Sequence, residues 1–496
     1  MSRSTARFLL LAAVTVAALV TAVWAFLSGS DSSRFRGSPA TATAPVSRAP
    51  NMLLIVIDTL RADRMGAYAN PRGNSENLDA IAAEGVTFER AIAQSPWTQP
   101  SMASLFCSRY PSVHQVLDYR KAFNATFKGA EKVAVFNDSF VTLAEALREN
   151  GYVTSGFVAN SFLLREYGFA QGFEHFDSTF ADSRTPGSVV NDSAMSWLGR
   201  HDSGKPFFVY LHYMDVHGPY NAGPQFLDSL LDEVEQLPEK RKLTNDQIRR
   251  LGYLRELADF HTNPARHERL SQYREYWEAR YDAGIRQVDF HVGNLRARLE
   301  DAGLWDDTLV IVTSDHGEEL CEHDLWEHGL SVHHTELHVP LIVYWKGRVS
   351  AGKRISETVR LIDLMPTLLD WLAFPAVIGV QGESILPHLN GTPPPQPAPA
   401  FAEGIKWGPE QRAVYLGPWK MIMTVSTGQR QLYNLTHDPL EQLEISLQNP
   451  DKIQRLTQVL EEQVGINRVL ASNIEPEAVN VSPEQQERLR ALGYVK

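Results

Sequence analysis

Five residues that could bind a cation stand just past short, strongly apolar runs. "MLLIVI" (52–57) is followed by Asp58, "PFFVYLHYM" (206–214) by Asp215 and His217, and "TLVIVTS" (308–314) by Asp315 and His316. Carboxylate oxygens and an imidazole nitrogen suit one divalent metal ion, with Ca2+, Mn2+ and Zn2+ all acceptable to such a set. A single Asp after a strand is ordinarily a turn or cap residue; three such ends in one chain point to a site. A further candidate is Thr98 in "SPWTQPSMASLFCSRYP" (95–111). Pro100 suits a first helical turn, which puts Thr98 at or just before a helix N-terminus, where free N–H groups and the helix dipole attract anions. A hydroxyl there is also an ordinary N-cap, but a neighbouring metal could make it a nucleophile. Cys107 falls far along the same helix and reads as a packed small hydrophobe. Six of the sixteen histidines lie between His316 and His338. Among them His316 is the safest ligand and His328, on a Trp-Glu-His-Gly turn, the next candidate.

The elements that must position these groups alternate. Runs at 52–57, 153–159, 206–212, 308–314 and 340–345 are short, β-branched or aromatic, and mostly lack polar alternation, as strands covered on both faces do. Between them lie helical patterns at 76–85, 140–151 and 289–303, the last two closed by Gly151 and Gly303. This alternation implies an α/β fold with a parallel sheet and helices on both faces, whose ligands bind beyond the carboxyl ends of the strands. Residues 225–282 are charged and helical, an insertion or lid. The proline-rich "NGTPPPQPAP" (390–399) is a boundary, after which "AVYLGPWKMIMTV" and "RQLYNL" read as antiparallel strands.

At 496 residues the chain is longer than one core usually supports. Its 43% apolar and 21% charged residues exclude a disordered or fibrous protein. A formal charge of −12 without a basic stripe excludes nucleic acid as a partner. Residues 8–27 carry no charge, follow Arg3 and Arg7, and are long enough to cross a bilayer. They are read as an uncleaved membrane anchor with the rest of the chain exported, periplasmic or extracellular. Residues 28–50, rich in Ser, Ala, Thr and Pro, read as a tether. Two cysteines, Cys107 and Cys321, allow at most one disulfide and do not dictate it.

Taken together, "NMLLIVIDTLRADRMGAY", "NLDAIAAEGVTFERAIAQSPWTQPSMASL", "LHYMDVHGPY", "SDHGEEL", "LIDLMPTLLD", "LYNLTHDPLE" and "LRALGYV" resemble the sulfatase family of the alkaline phosphatase superfamily, in order and over essentially all of residues 51–496. The resemblance implies an alkaline-phosphatase-like α/β/α sandwich with a smaller C-terminal α+β subdomain, and hydrolysis of sulfate or phosphate esters through a metal-bound nucleophile. Carried over by motif, Asp58, Asp315 and His316 bind the metal and Thr98 completes its shell as nucleophile. His217 contacts the ester or protonates the leaving group. His328 falls where many sulfatases place a lysine that neutralises the anion. Two positions depart from the family pattern. Its Cys-x-Pro-x-Arg, the source of formylglycine, is here Thr98-Gln99-Pro100-Ser101-Met102, and threonine cannot yield that aldehyde. Its Gly-Lys-Trp-His grip on the sulfate is replaced by Ala159, Asn160 and Ser161, which makes Asn160 the substrate-contact candidate. Threonine nucleophiles do occur in related nucleotide pyrophosphatase/phosphodiesterases and lipoteichoic acid synthases.

The expectation is therefore an anchor at 1–27, a linker at 28–50, a catalytic domain at 51–390 and a C-terminal subdomain at 391–496. The protein is expected to be a metal-dependent hydrolase or transferase acting on an anionic ester, such as a lipid headgroup or glycan, in the cell envelope. A conventional arylsulfatase is the alternative enzyme, and an inactive anion- or glycan-binding envelope protein the alternative of another class.

Overall fold

A computed structural model of the chain describes residues 49–117, 132–182, 184–201, 204–235, 274–396 and 398–491. The apolar runs form a nine-stranded sheet from Asn51–Ile57 (β1), Val86–Ile92 (β2), Val153–Val158 (β3), His175–Asp177 (β4), Phe207–Tyr213 (β5), Thr308–Thr313 (β6), His338–Val339 (β7), Leu341–Tyr344 (β8) and Lys353–Arg360 (β9). β1 lies between β5 and β6, parallel to both, with Met52 opposite Phe208 and Leu309. β3 continues the parallel order beside β5, and β4 beside β3. Every residue of β5 and β6, and all but the first of β1, is buried. Strands buried on both faces need no polar alternation, which is why these runs read as continuous hydrophobes.

One expectation about the sheet is corrected. It is mixed rather than parallel: β8 runs antiparallel to both β6 and β2, and β7 is antiparallel to β2. The connection from β6 to β8 contains no crossover helix, only short turns, two-residue strands and the four-residue helix His334–Leu337. Without a crossover the chain re-enters the sheet from the end at which it left, so the returning strand must point the other way. β2 and β9, parallel to each other, complete that side.

Two groups of helices cover the sheet. Arg274–Asp301 packs on Glu76–Glu84, Gly187–Leu198 and Pro224–Glu235, while Thr98–Cys107 (called here the Thr98 helix) packs on Leu143–Glu149 and Leu364–Trp371. The Leu143–Glu149 helix starts at a capping box in which Thr142 and Glu145 satisfy each other's backbone N–H groups. Gly151 (φ 90°) and Gly303 (φ 67°) take the left-handed stop expected of them. Residues 236–273, most of the expected insertion, lie outside the described residues.

After the proline-rich stretch, Ala400–Ala402, Gln411–Leu416, Trp419–Thr424 and Arg430–Asn434 form a four-stranded antiparallel sheet. Helix Pro450–Leu470 packs on it. Val414, Met421, Leu432, Leu456 and Leu460 share a core with Tyr110 and Ile362, so this sheet is packed directly against the segments that follow the Thr98 helix and β9.

The expected membrane anchor is not carried forward. No helix among the described residues is long and apolar enough to cross a membrane, and residues 8–27, with the tether as far as residue 48, lie outside them. Cys107 and Cys321 are both buried, and no disulfide joins them. Burial pushes the Cys107 thiol up to about 12, as befits a packing residue.

Candidate active site

Asp58 follows β1 and is followed in turn by Thr59, a β-branched residue with φ 61°. Such a conformation is costly and is kept where the surrounding structure enforces it. Here the Thr59 hydroxyl donates to the Asp58 carbonyl and the Asp58 N–H to Tyr213, which holds the tight turn. The Asp58 carboxylate is fully buried. Its Oδ2 accepts from Asn160 Nδ2 at 2.6 Å and His212 Nε2 at 2.9 Å, with Thr98 Oγ1 at 3.4 Å. Burial would raise this carboxyl, but the His212 hydrogen bond and the attraction of the surrounding histidines together outweigh it and hold Asp58 well below the usual carboxylate range.

From the far side of β1 come Asp315 and His316, after β6. Asp315 Oδ1 accepts from the His316 N–H at 2.9 Å. His316 Nδ1 must donate to the Gly317 carbonyl at 2.9 Å, since a carbonyl only accepts. Burial, with His328 next to it, keeps the His316 ring neutral. Its Nε2 therefore presents a lone pair, 3.4 Å from Asp315 Oδ2, 3.6 Å from Asp58 Oδ1 and 3.3 Å from Thr98 Oγ1. Neither carboxylate oxygen facing it has a hydrogen-bond partner. Burial and the charge of Asp58 drive the Asp315 carboxyl well above its ordinary value. Two carboxylate oxygens, an imidazole lone pair and a hydroxyl converge in a dry place, and a divalent cation is what such a donor set accommodates.

Thr98 is the first residue of the Thr98 helix and is fully buried, as are the other nine residues of that helix. Ser101 Oγ, one turn on, donates to the Asp315 carbonyl at 2.5 Å and locks the helix to the metal-side loop. Asn160, just past β3, donates to Asp58 and also lies 3.4 Å from Thr98 Oγ1, while its Oδ1 accepts from the Phe162 N–H. All four proposed metal-side residues and Asn160 are thus brought together. His217, His328 and His316 form a cluster beside them, with ring centroids 5.0 Å apart for the first pair and 4.4 Å for the second. His328 Nδ1 pairs with Glu318 Oε1 at 2.9 Å. Burial and then His217 lower His328 well below the ordinary histidine value, and burial pushes Glu318 up to about 8. A protonated Glu318 donates to His328 Nδ1, which places the ring proton on Nε2.

One strand end does not contribute as expected. The Asp215 carboxylate accepts from the Gly187 N–H at 3.1 Å and Gln287 Nε2 at 2.7 Å, toward the helices, and only His217 of that segment reaches the site. Three contributors escaped the sequence reading. His212 sits in mid-strand, with Nδ1 on the Tyr210 hydroxyl at 2.7 Å and Nε2 on Asp58. With its Nε2 proton facing a carboxylate it orients Asp58 rather than offering a lone pair to a metal. Its signal was visible: a tyrosine and a histidine two apart, on one face of an apolar run. Glu318 and Glu336 carried no such pattern. Glu336 accepts from the Gly329 N–H at 2.6 Å and from the N–H and hydroxyl of Ser331, fixing the turn after His328. Gly317 lets that loop close, because a Cβ there would stand 2.1 Å from the Thr335 carbonyl oxygen.

A second group of metal-ligating residue types, His323, His333 and Glu441, lies on the rim of the four-stranded sheet. Its polar atoms are already matched. His323 pairs with Glu319 and the Leu440 carbonyl, and Glu441 with His333, the His334 N–H and the buried Lys420. It is a structural ion network, with Lys420 supplying the positive charge.

Comparison with known proteins places this geometry in context. Residues 50–374 match the Sulfatase family, and residues 321–469 match the family described as N-sulphoglucosamine sulphohydrolase, C-terminal. The multifunctional alkaline phosphatase superfamily protein PehA of Trinickia caryophylli is 27% identical over 398 residues, covering 68% of this chain and 77% of that protein. Among solved structures, BT4656, in complex with its substrate D-glucosamine-2-N,6-O-disulfate, superposes with a TM-score of 0.68 at 20% identity, covering 86% of this chain and 99% of its own. The phosphonate monoester hydrolase of Agrobacterium radiobacter gives 0.64 at 21% identity, covering 88% and 100%.

Proposed function

The chain belongs to the sulfatase family, and from that membership we propose a metal-dependent ester hydrolase whose nucleophile is the Thr98 hydroxyl. Sulfatase-type ester hydrolysis follows from the family; the nucleophile, the metal set and the ester preference are the proposal. One observation carries it. Thr98 Oγ1 stands 3.4 Å from Asp58 Oδ2 and 3.3 Å from His316 Nε2, beside the two carboxylate oxygens that lack a hydrogen-bond partner.

Asp58, Asp315, His316 and Thr98 would hold the cation. When bound, a divalent ion favours loss of the threonine proton to water and neutralises charge on the ester. Thr98 Oγ1 then forms a bond to the sulfur or phosphorus, the bond to the leaving-group oxygen breaks, and His217 supplies a proton to that oxygen. The His328 Nε2–H faces charge developing on the non-bridging oxygens. Asn160 and His212 keep Asp58 oriented. Because threonine lacks the aldehyde hydrate of formylglycine, the covalent ester has to be resolved by water or by an acceptor alcohol. That favours phosphate and phosphonate esters, whose threonine esters are cleaved by attack at phosphorus. The breadth named for the Trinickia relative supports an anionic ester of this wider class, and the disulfated sugar bound by BT4656 supports a glycan as one form of it.

The test is a panel of aryl phosphodiester, phosphonate monoester and sulfate esters assayed with Mn2+, Zn2+ and Ca2+, followed by mass spectrometry of the rapidly quenched enzyme. A phosphothreonine at residue 98 supports the reading. Turnover of sulfate esters alone would favour a conventional sulfatase, and tight metal binding without turnover of any ester an inactive binding protein.

A further inference from the structure

Asp58 faces the cation position only while the turn behind it keeps an unusual shape. Thr59 is fully buried at φ 61°, a left-handed conformation that β-branched side chains avoid because Cβ crowds the carbonyl. Three successive N–H groups leave this turn. That of Thr59 lies 3.4 Å from Asp315 Oδ1, that of Leu60 donates to Ser314 Oγ at 3.0 Å, and that of Arg61 donates to the Tyr281 hydroxyl at 2.9 Å. The first two partners belong to the segment just past β6, where Ser314 Oγ also donates to the His316 carbonyl at 2.6 Å. The shape of the turn therefore bears on Asp315 and His316 as well as on Asp58. Tyr281 closes it from the other side. Its hydroxyl donates to the Thr59 carbonyl at 2.7 Å while accepting from Arg61, so one oxygen satisfies two buried backbone groups on either side of Leu60.

Tyr281 is fully buried and belongs to helix Arg274–Asp301, in the stretch that the sequence alone marks as a charged insertion. The same helix grips the opposite wall of the site. Gly284 lets it reach the backbone ahead of His217: a Cβ there would stand 2.6 Å from the Asp215 carbonyl oxygen and 3.0 Å from Val216 Cα. The Tyr281 ring also meets Tyr220 edge-on, with centroids 6.0 Å apart, and the Tyr220 N–H donates to the His217 carbonyl at 3.3 Å. Anchored at both walls, the helix presents the Tyr281 hydroxyl from a fixed position, as a strained turn requires.

We propose that Tyr281 is a positioning residue of this site, its hydroxyl holding Thr59 left-handed so that Asp58 Oδ1 and Asp315 Oδ2 face the same cation. The proposal rests on the reading that Asp58, Asp315, His316 and Thr98 hold a divalent ion. Without the hydroxyl, the Thr59 carbonyl and the Arg61 N–H are stranded in the core, and the turn relaxes toward a conformation that threonine prefers. Glycine has no such preference, since it enters the left-handed region about as readily as the right-handed one. Loss of the hydroxyl should therefore matter where residue 59 is threonine and matter much less where it is glycine.

The test titrates the metal-stripped full chain with Mn2+, Zn2+ and Ca2+ by isothermal titration calorimetry, at a temperature where circular dichroism shows each variant folded. For the tightest ion, Tyr281→Phe should raise the dissociation constant on the order of tenfold, the range for one or two lost hydrogen bonds. In a Thr59→Gly background the same change should raise it by no more than about twofold. Equal losses in the two backgrounds overturn the proposal, because Tyr281 would then act without regard to the conformation of residue 59. An unchanged constant in Tyr281→Phe overturns it too. Should Tyr281→Phe alone fail to fold, the pair Thr59→Gly and Thr59→Gly/Tyr281→Phe decides: matching affinities sustain the proposal, and a gap on the order of tenfold overturns it. The two readings fail separately. No binding of any ion to the wild type removes the metal set and Tyr281 with it, whereas equally tight binding by wild type and Tyr281→Phe keeps the metal set and discards Tyr281 alone.

Discussion

Replacing Thr98 by valine removes the hydroxyl, keeps the branched shape and asks one question of the site. The folded state should barely notice. Thr98 Oγ1 lies 3.4 Å from Asp58 and Asn160 and 3.3 Å from His316, well beyond the ordinary hydrogen-bond distances of about 2.7–3.0 Å, so none of the three contacts is a strong hydrogen bond. Asp58 Oδ2 keeps Asn160 and His212 at 2.6 and 2.9 Å, so no carboxylate is newly orphaned. The expected stability change in the metal-free protein is therefore within about 1 kcal/mol. Activity should respond on another scale. Loss of a covalent nucleophile removes the pathway, and a fall of at least about 10³ in kcat/KM, roughly 4 kcal/mol of transition-state stabilisation, is the minimum expected. Thr98→Ser should retain measurable turnover while losing about 1 kcal/mol of stability for the buried methyl. The assay is steady-state hydrolysis of an aryl phosphodiester and an aryl sulfate, run beside thermal unfolding with and without chelator. Thr98→Val within tenfold of wild type on every ester that wild type cleaves would refute the assignment, because a structurally silent change would then also be chemically silent.

Further outcomes follow from the charges around the site and its rim. Chelation should lower the unfolding temperature of the wild type but not of Asp315→Asn, because asparagine removes the like charge beside Asp58 that a cation otherwise offsets; differential scanning fluorimetry with and without EDTA reads this. Lys420→Met should destabilise the protein by about 3–5 kcal/mol in chemical denaturation, since it strands the fully buried Glu441 carboxylate, and adding Glu441→Gln should recover part of the loss. His323 is pulled down by burial, but its hydrogen bond to Glu319 and the charges of Glu319 and Glu441 together more than reverse this and raise its pKa. A raised histidine stabilises fully below its unfolded value of about 6.5 and loses that contribution as pH rises through the folded value. His323→Gln should therefore cost about 1 kcal/mol near pH 5.5 and little near pH 8.5, and a cost independent of pH would contradict the ion pair.

The chemistry at strand ends was legible because it rests on a local rule. A fully buried strand is an unbroken apolar run, and the first acidic residue after it marks the sheet edge where ligands gather, which located Asp58, Asp315 and His316. The same rule failed for Asp215, because a residue past a strand can turn toward either helix layer and sequence does not say which; here Gly187 and Gln287 supplied the better partners. Thr98 was recognisable from Pro100 and the small residues behind it, and Asn160 from where it stands in the motif series. Glu318 and Glu336 were not, because each acquires its role from a partner in the same irregular loop, at a spacing that follows no helical or strand period.

The antiparallel strand and the histidine-rich loop, which look like separate irregularities, have one cause. A crossover helix after β6 would have carried the chain to the opposite edge of the sheet, as in the other parallel connections. Direct return to β8 instead keeps all of residues 314–340 at the edge where Asp58 and Thr98 lie. That segment must then be both wall and reagent. It supplies Asp315, His316, Glu318 and His328, and it is held down by buried carboxyls rather than by a hydrophobic face: Glu336 on Gly329 and Ser331, and Glu319 on His323 and Thr335. A loop tied through protonatable groups touches the four-stranded sheet at Gly329 and Lys406, and at His333 and Glu441. The C-terminal sheet thereby braces the loop that carries Asp315, His316 and His328.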